Sequence, residues 1–461
     1  MVSMAHARSL VFALVLWVPN LARAGDWPQF RGPLGTGVAA DAKVPREWSE
    51  AKNLAWKLSV PGSGWSQPII AGEMVFVTSA ISSKPLRPRV YSDGLADPHT
   101  VSGASVVAPD ISCTWKVWAI DLATGAPQWN QTVASGTPKF PIHPSNTYAS
   151  ETPAADPKAV YVFFGSAGTA AALDRQGHIL WKHQLGPFRQ LENYGTGSSL
   201  RLHAGLLYIQ CFSEEQALLV CLDTVDGKEI WRIVREKAGT GWTSPLLWRT
   251  QTRLELVICG QDLMTGHDPL TGREYWRLEG VAMPSMTSAC ADEQQLYFGC
   301  RDPYKGGPLH ALKAQSSQNL AESDVGHTSL FEAWIAPGAA PGMPSPLATA
   351  GCVFVLNSTF LSCHDATTGK EQFKERLPGF RSVIASPIAV GDELLILDES
   401  GLALSLAARP RFQILGRSKL DDIFWASPAV AGHALLLRGV DSLYCVREPT
   451  FQAAPRGTGP K

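Results

Sequence analysis

Charge of one sign, long hydrophobic runs and helical periodicity are all scarce in this chain of 461 residues. Its 40 Lys and Arg residues meet 41 Asp and Glu, leaving a formal net charge of −1 with no basic stripe. Such a balance offers no electrostatic footprint for a polyphosphate backbone or an anionic lipid surface, so neither nucleic acid nor membrane is an expected partner. No segment reaches the ~20 apolar residues that a bilayer-spanning helix needs, and no membrane span is expected. Apolar residues do not recur at the three-to-four spacing of an amphipathic helix, which points to an all-β chain. Cys occurs 9 times, but never in a CxxC pair or beside another Cys, so the spacing predicts no metal site. A Walker loop, GxGxxG, HExxH and a Ser-His-Asp order are all missing, and no catalytic residue is assigned.

What the chain has instead is a repeat. A strand ending in Asp is followed at a fixed step by Gly and then by a large aromatic: Asp121, Gly125, Trp129; Asp174, Gly177, Trp181; Asp223, Gly227, Trp231; Asp268, Gly272, Trp276; and Asp365, Gly369, Phe373. A recurrence of roughly 45 residues with one turn and one aromatic per copy marks a radial or stacked repeat. Asp folds its carboxylate onto the N–H groups of a tight turn, and Gly takes the positive-φ position. The aromatic begins the next strand with a large apolar face to bury.

Each unit opens with a Ser/Thr-Pro element: Ser66-Gln67-Pro68, Thr152-Pro153, Ser244-Pro245, Ser345-Pro346, Ser386-Pro387 and Ser427-Pro428. Looser versions stand at Ser198-Ser199-Leu200 and Met286-Thr287-Ser288. Pro at a strand start does least harm to the ladder, and four short strands per unit make a propeller blade. The openers count eight blades, and Trp129, Trp181, Trp231, Trp276, Trp334, Phe373 and a degenerate Ile414 close the first seven. The eighth unit, from Trp425 to Val446, runs out after three strands. Leu54–Leu58, which carries Trp56 but has no blade of its own, is its expected fourth strand. Chain ends that share a blade close the ring and leave no free sheet edge.

The expectation is an all-β, eight-bladed β-propeller over residues 54–448, with an N-terminal strap at 25–53 and a flexible tail at 449–461. Residues 1–24 read as a signal peptide: His6 and Arg8 precede the apolar run Leu10 to Val18, and Ala22-Arg23-Ala24 has the form of a cleavage site. Export to the periplasm or beyond, as a monomer, follows.

Cys211 with Cys221, Cys290 with Cys300, and Cys352 with Cys363 each lie about equidistant from an expected hairpin turn. Small buried hydrophobes on blade strands are the simpler reading, and a cross-strand disulfide in any one pair is the other. Two segments break the repeat, Ser82–Ser112 in blade one and Gly306–Ser329 in blade five. Loops of that length on a rigid scaffold carry function or are disordered.

Aligned on the opener Pro, the positions three residues earlier are Trp65, Ser150, Gly197, Trp242, Ser285, Met343, Ile384 and Trp425. Inner strands converge on the axis, so this register should ring the mouth of the central funnel. Three Trp and one Met there suit a flat or extended partner, or else plug a wide channel. His143, Asn146 and Tyr148 lie beside the ring, and Tyr194 and Arg381 extend it. The candidate binding set is therefore Trp65, His143, Asn146, Tyr148, Ser150, Tyr194, Trp242, Arg381 and Trp425. His267 and His364, next to turn Asp residues, read as local turn partners.

The segment Ala119-Ile120-Asp121-Leu122-Ala123-Thr124-Gly125 with Trp129, and His267-Asp268-Pro269-Leu270-Thr271-Gly272 with Trp276, resemble the pyrroloquinoline-quinone-like (PQQ-like) propeller repeat. Asp26-Trp27-Pro28-Gln29-Phe30-Arg31-Gly32-Pro33 and the stretch Ile142 to Pro153 are similar to segments of secreted bacterial PQQ-like propellers. The resemblance covers nearly the whole chain after residue 24. It implies a superfamily of quinoprotein alcohol and glucose dehydrogenases that also holds non-catalytic scaffolds, such as the propeller subunit of the outer-membrane β-barrel assembly machinery. The enzymes of that superfamily carry an adjacent Cys-Cys disulfide against the quinone, a Trp beneath it, and Glu, Asn and Asp around calcium. This chain has no adjacent Cys pair, is shorter, and places no carboxylate set in register for the metal. The expected role is a non-catalytic binding or scaffolding propeller with a protein partner or extended ligand and no cofactor. The alternatives are a dehydrogenase of alcohols or sugars using PQQ with calcium, and a glycan-binding propeller.

Overall fold

The computed structural model describes residues 25–91, 110–236, 239–261, 263–280, 286–299, 307–313 and 332–449. The expected signal peptide, most of the expected tail and the greater part of both insertions lie outside them. Eight blades of four antiparallel strands follow one another around a ring, the seventh extended by a short parallel strand from the N-terminal segment. Blade one is Ile69–Ala71, Met74–Ser82, Cys113–Asp121 and Pro127–Gly136, and blade three is Arg201–His203, Leu206–Phe212, Gln216–Asp223 and Glu229–Glu236. In blade eight, Leu54–Leu58 pairs antiparallel with Leu443–Val446, so the two ends of the propeller share one sheet as expected.

The burial pattern explains the sequence pattern. The two middle strands of blade three are buried on both faces, because each blade is covered by a neighbour on either side. Their sequences, such as Leu218-Leu219-Val220-Cys221-Leu222, are accordingly continuous apolar runs. The outer strand Glu229–Glu236 alternates between exposed and half-buried residues, since one edge meets solvent.

The turn carries the interlock. Asp121 Oδ1 accepts the Thr124 amide at 2.7 Å, and Asp365 Oδ1 accepts those of Thr367 at 3.1 Å and Thr368 at 2.8 Å. Both carboxyls are held below their ordinary pKa by hydrogen bonds from Thr124 and Thr368. The Gly that follows, at φ 76° in Gly125 and 73° in Gly369, sits on the indole of the preceding blade, Trp56 and Trp334. The indole N–H then reaches the next turn: Trp56 Nε1 donates to Leu122 O at 2.9 Å, Trp129 to Arg175 O at 2.8 Å, Trp181 to Thr224 O at 3.0 Å and Trp231 to Pro269 O at 3.1 Å. His267 and His364 bond within their own hairpins, Nδ1 facing Gly272 O at 3.0 Å and Gly369 O at 3.2 Å.

Two expectations need correction. The blade-five insertion does not begin at Gly306, because Leu309–Lys313 is the third strand of that blade. Cys211 and Cys221 do not face one another: their ladder partners are Leu218 and Tyr208, and both thiols are free. Cys300 lies outside the described residues. Cys352 and Cys363 are diagonal neighbours, opposite Asp365 and Phe354, and are also free.

Candidate functional site

The channel is built from the openers. The residue before each Pro, or its equivalent, passes a hydrogen bond to the next blade. Gln67 N donates to Thr152 Oγ1 at 3.0 Å, Thr152 N to Ser199 Oγ at 3.1 Å, and Ser199 N to Ser244 Oγ at 2.9 Å. The series continues from Ser244 to Ser288, Ser288 to Ser345, Ser345 to Ser386 and Ser386 to Ser427, at 2.9 to 3.0 Å. All of these residues are buried, so each bond satisfies an amide that the short inner strand leaves unpaired. At the seam between blades eight and one Gln67 replaces the hydroxyl residue, and its side-chain amide donates to Pro428 O at 2.5 Å.

The strap closes one end of this channel. Trp27 exchanges two 2.9 Å backbone bonds with Ile70 of blade one, Pro28 O accepts the Ala155 amide of blade two, and Gln29 Oε1 accepts the Leu202 amide of blade three. Arg31 N donates to Gln67 Oε1 at 2.8 Å, Arg31 Nη2 donates to Pro346 O of blade six at 2.6 Å, and Val38–Ala39 pairs parallel with the inner strand of blade seven. Contacts to so many blades oblige the strap to cross the axis. Its hydrogen bonds fall on the inner strands and on Gln67 and Pro346 just before them, and among the described residues none falls on the positions three before the opener Pro.

At and beside those positions the candidate residues form two groups. Trp65 and Trp425 stack at 5.4 Å between centroids and 19° between planes, and Tyr91 stacks on Trp425 at 5.8 Å. Trp65 Nε1 donates to Ser145 O at 2.9 Å and Trp425 Nε1 to Glu399 Oε1 at 2.5 Å, which fixes both rings. Beside this stack, with Ser145 touching both groups, His143 packs on Tyr194 at 4.8 Å, and Tyr194 meets Trp242 edge-on at 5.8 Å and 89°. Trp242 Nε1 donates to Gly195 O at 2.7 Å, and the Asn146 side-chain amide donates to Tyr194 O. His143 is buried, which pulls its pKa below the ordinary value and keeps the imidazole neutral; its Nδ1 is 2.7 Å from Ser145 Oγ.

The remaining candidates divide. Ser150 Oγ donates to Asn146 Oδ1 at 2.5 Å and braces the loop, and Arg381 is exposed at the rim. Tyr148 points into the core, edge-on to Trp115 at 6.5 Å and 81°, and is withdrawn from the funnel. The blade-five register needs correction: Ser288 aligns with Ser244 and Ser345, so the ring position is the exposed Met286 and not Ser285, which lies outside the described residues. Tyr91 and Glu399 escaped the sequence reading because neither occupies the opener register. Among the described residues, no group of three or more His, Cys, Asp or Glu side chains is arranged to hold a metal ion.

The sequence matches the family model described as outer membrane protein assembly factor BamB over residues 46–193 and 166–333. The chain belongs to that family of PQQ-like propellers. Among solved structures, BamB from Moraxella catarrhalis superimposes with a TM-score of 0.55 at 12% identity, over 86% of this chain and 98% of its own. A europium-containing methanol dehydrogenase gives 0.58 at 11% identity, over 92% and 91%. The quinohemoprotein alcohol dehydrogenase of Comamonas testosteroni gives 0.56 at 12% identity, over 96% and 84%. At such identities these likenesses show a common fold. Comparison with curated proteins gives no sequence match.

Proposed function

We propose that this member of the family is a non-catalytic, exported propeller that holds a protein partner or an extended ligand on its funnel face. The observation that carries the reading is the asymmetry of the two faces. The strap seals one end of the channel, and the other presents two aromatic groups, Trp65–Trp425–Tyr91 and His143–Tyr194–Trp242, each tied to backbone or carboxylate. Trp425, Tyr91, Tyr194 and Trp242 are half-buried and backed by the buried Trp65 and His143; aromatics fixed in this way lose little conformational freedom on contact and anchor interfaces of this kind. The residues do not suit a quinone. Trp65 and Trp425 already stack on each other, so a planar ring cannot enter between them without parting the pair. No adjacent Cys pair exists to lie against one.

The test uses the full chain in its source cells. A photocrosslinking residue at Arg381 or Ile384 should give a discrete adduct with an envelope component, weakened by Trp242→Ala with Trp425→Ala. The same probe at Val234 on the outer strand of blade three should give none. Stoichiometric uptake of PQQ with calcium by the purified protein, with dye reduction by an alcohol, would overturn the reading.

A further inference from the structure

We propose that the strap-closed channel holds a small inorganic monoanion, with chloride as the representative ion, between the guanidinium groups of Arg31 and Arg201. Arg31 comes from the strap and Arg201 from the inner strand of blade three, and they are 1% and 2% exposed. Arg31 Nη2 donates to Thr36 O at 3.0 Å and to Pro346 O at 2.6 Å, while its Nε and Nη1 are buried with no acceptor among the described residues. Arg201 Nε donates to Pro245 O at 2.9 Å, and its Nη1 is buried without an acceptor. Three donor nitrogens on two like-charged groups therefore stay unpaired inside the protein.

Among the described residues no carboxylate acts on either of them. The ionisable group that acts on Arg201 is Arg31, and the one that acts on Arg31 is the Cys290 thiol. Burial pushes that thiol up to about 12, so it is uncharged near neutral pH. Arg201 is brought down by burial to about 9, which still leaves it charged at neutral pH. Two adjacent buried cations without a counter-charge are among the least favourable arrangements in a protein interior, and an enclosed anion relieves both at once. Arg438 provides the contrast within the same ring. It is as buried, but its guanidinium donates to Ser66 Oγ at 2.5 Å and Thr78 O at 2.7 Å, and it leaves no buried donor unpaired.

The surroundings set the size of the ion. Both guanidiniums press on the turn Gly35-Thr36-Gly37. A Cβ added to Gly35 would lie 2.3 Å from Arg201 Nη2, and one on Gly37 would lie 3.0 Å from Arg31 Nη2. Backbone and guanidinium groups thus crowd one another at this turn, and the ligand proposed for it is a single small ion with no stem of its own. Bound there, the ion joins the strap to blade three and makes closure of the channel anion-dependent.

The full-length protein is melted in sodium gluconate and in sodium chloride at equal ionic strength. Chloride should raise the midpoint saturably, by roughly 1–3 °C. Arg201→Gln should remove the chloride dependence. As that variant alters the core, wild-type crystals grown with bromide supply a second readout, an anomalous peak in contact with both guanidiniums. Equal midpoints in the two salts together with no anomalous peak at Arg31 and Arg201 would overturn the proposal. So would a chloride effect that survives intact in a folded Arg201→Gln protein.

Discussion

The backbone amide of Ser199 donates to the hydroxyl of Ser244 at 2.9 Å, joining the first residues of two blades 45 positions apart. The same bond is handed on from Gln67 to Ser427, and the Gln67 side chain completes the circuit at Pro428 O. The inner strands are only two to four residues long, so these bonds carry much of the blade-to-blade registry near the centre.

Ser244→Ala should leave the Ser199 amide buried without an acceptor. The expected loss is about 1–3 kcal/mol of unfolding free energy, measured by urea denaturation. Ser244→Thr, which keeps the hydroxyl, should recover most of it. Equal stability of the Ala and wild-type proteins would show that the girdle is geometrically present but energetically idle.

Trp181 tests the outer interlock. Its indole donates to Thr224 O at 3.0 Å and lies under Gly227. Trp181→Phe should cost about 1 kcal/mol for the hydrogen bond, and Trp181→Ala about 3–5 kcal/mol through the cavity it leaves. Gly227→Ala should also destabilise, because φ is 73° and the new Cβ would meet the Trp181 ring at 2.7 Å.

Glu151 gives a pH signature. It is buried, and its Oε1 accepts the Gly165 amide at 3.0 Å. Burial raises its carboxyl pKa above the ordinary value. Over the range between the unfolded pKa and the raised folded one, the folded protein binds more protons than the unfolded chain. Stability must therefore fall as pH rises through that range and stay lower above it. Glu151→Gln should match wild type at about pH 4 and exceed it in melting temperature at about pH 8. A difference independent of pH would contradict this account.

Cys352 and Cys363 are diagonal neighbours on one face of a hairpin. A disulfide-exchange oxidant should take one hydrogen from each thiol and link them, giving a Cys352–Cys363 cross-linked peptide on mapping. Cys211 and Cys221, each opposite an apolar residue, should remain thiols under the same treatment. Linkage of the second pair rather than the first would invert the register argument.

Much of the blade pattern was legible because its causes are local. The Asp-Gly turn, the aromatic that follows and the Pro at the strand start act within one hairpin and repeat, so counting them counts blades. Leu309–Lys313 was missed for the same reason: no Asp-Gly-Trp turn follows it, and without that mark a five-residue strand reads as loop. The register of Trp65, Trp242 and Trp425 was legible from the opener Pro, whereas Tyr148, adjacent in sequence to the same ring, turns inward onto Trp115.

The sequence by itself determined an all-β ring of eight blades, its closure through Leu54–Leu58 and its membership of a recognisable repeat. Tertiary structure alone decided which end of the channel the strap covers, that the opener residues hand one bond from blade to blade with Gln67 at the seam, and that Arg31 and Arg201 lie against one turn. The physical reason is reach. Turn and strand signals are settled by neighbours a few residues away, whereas Arg31 bonds Pro346 across 315 positions, and no period in the chain specifies such a contact.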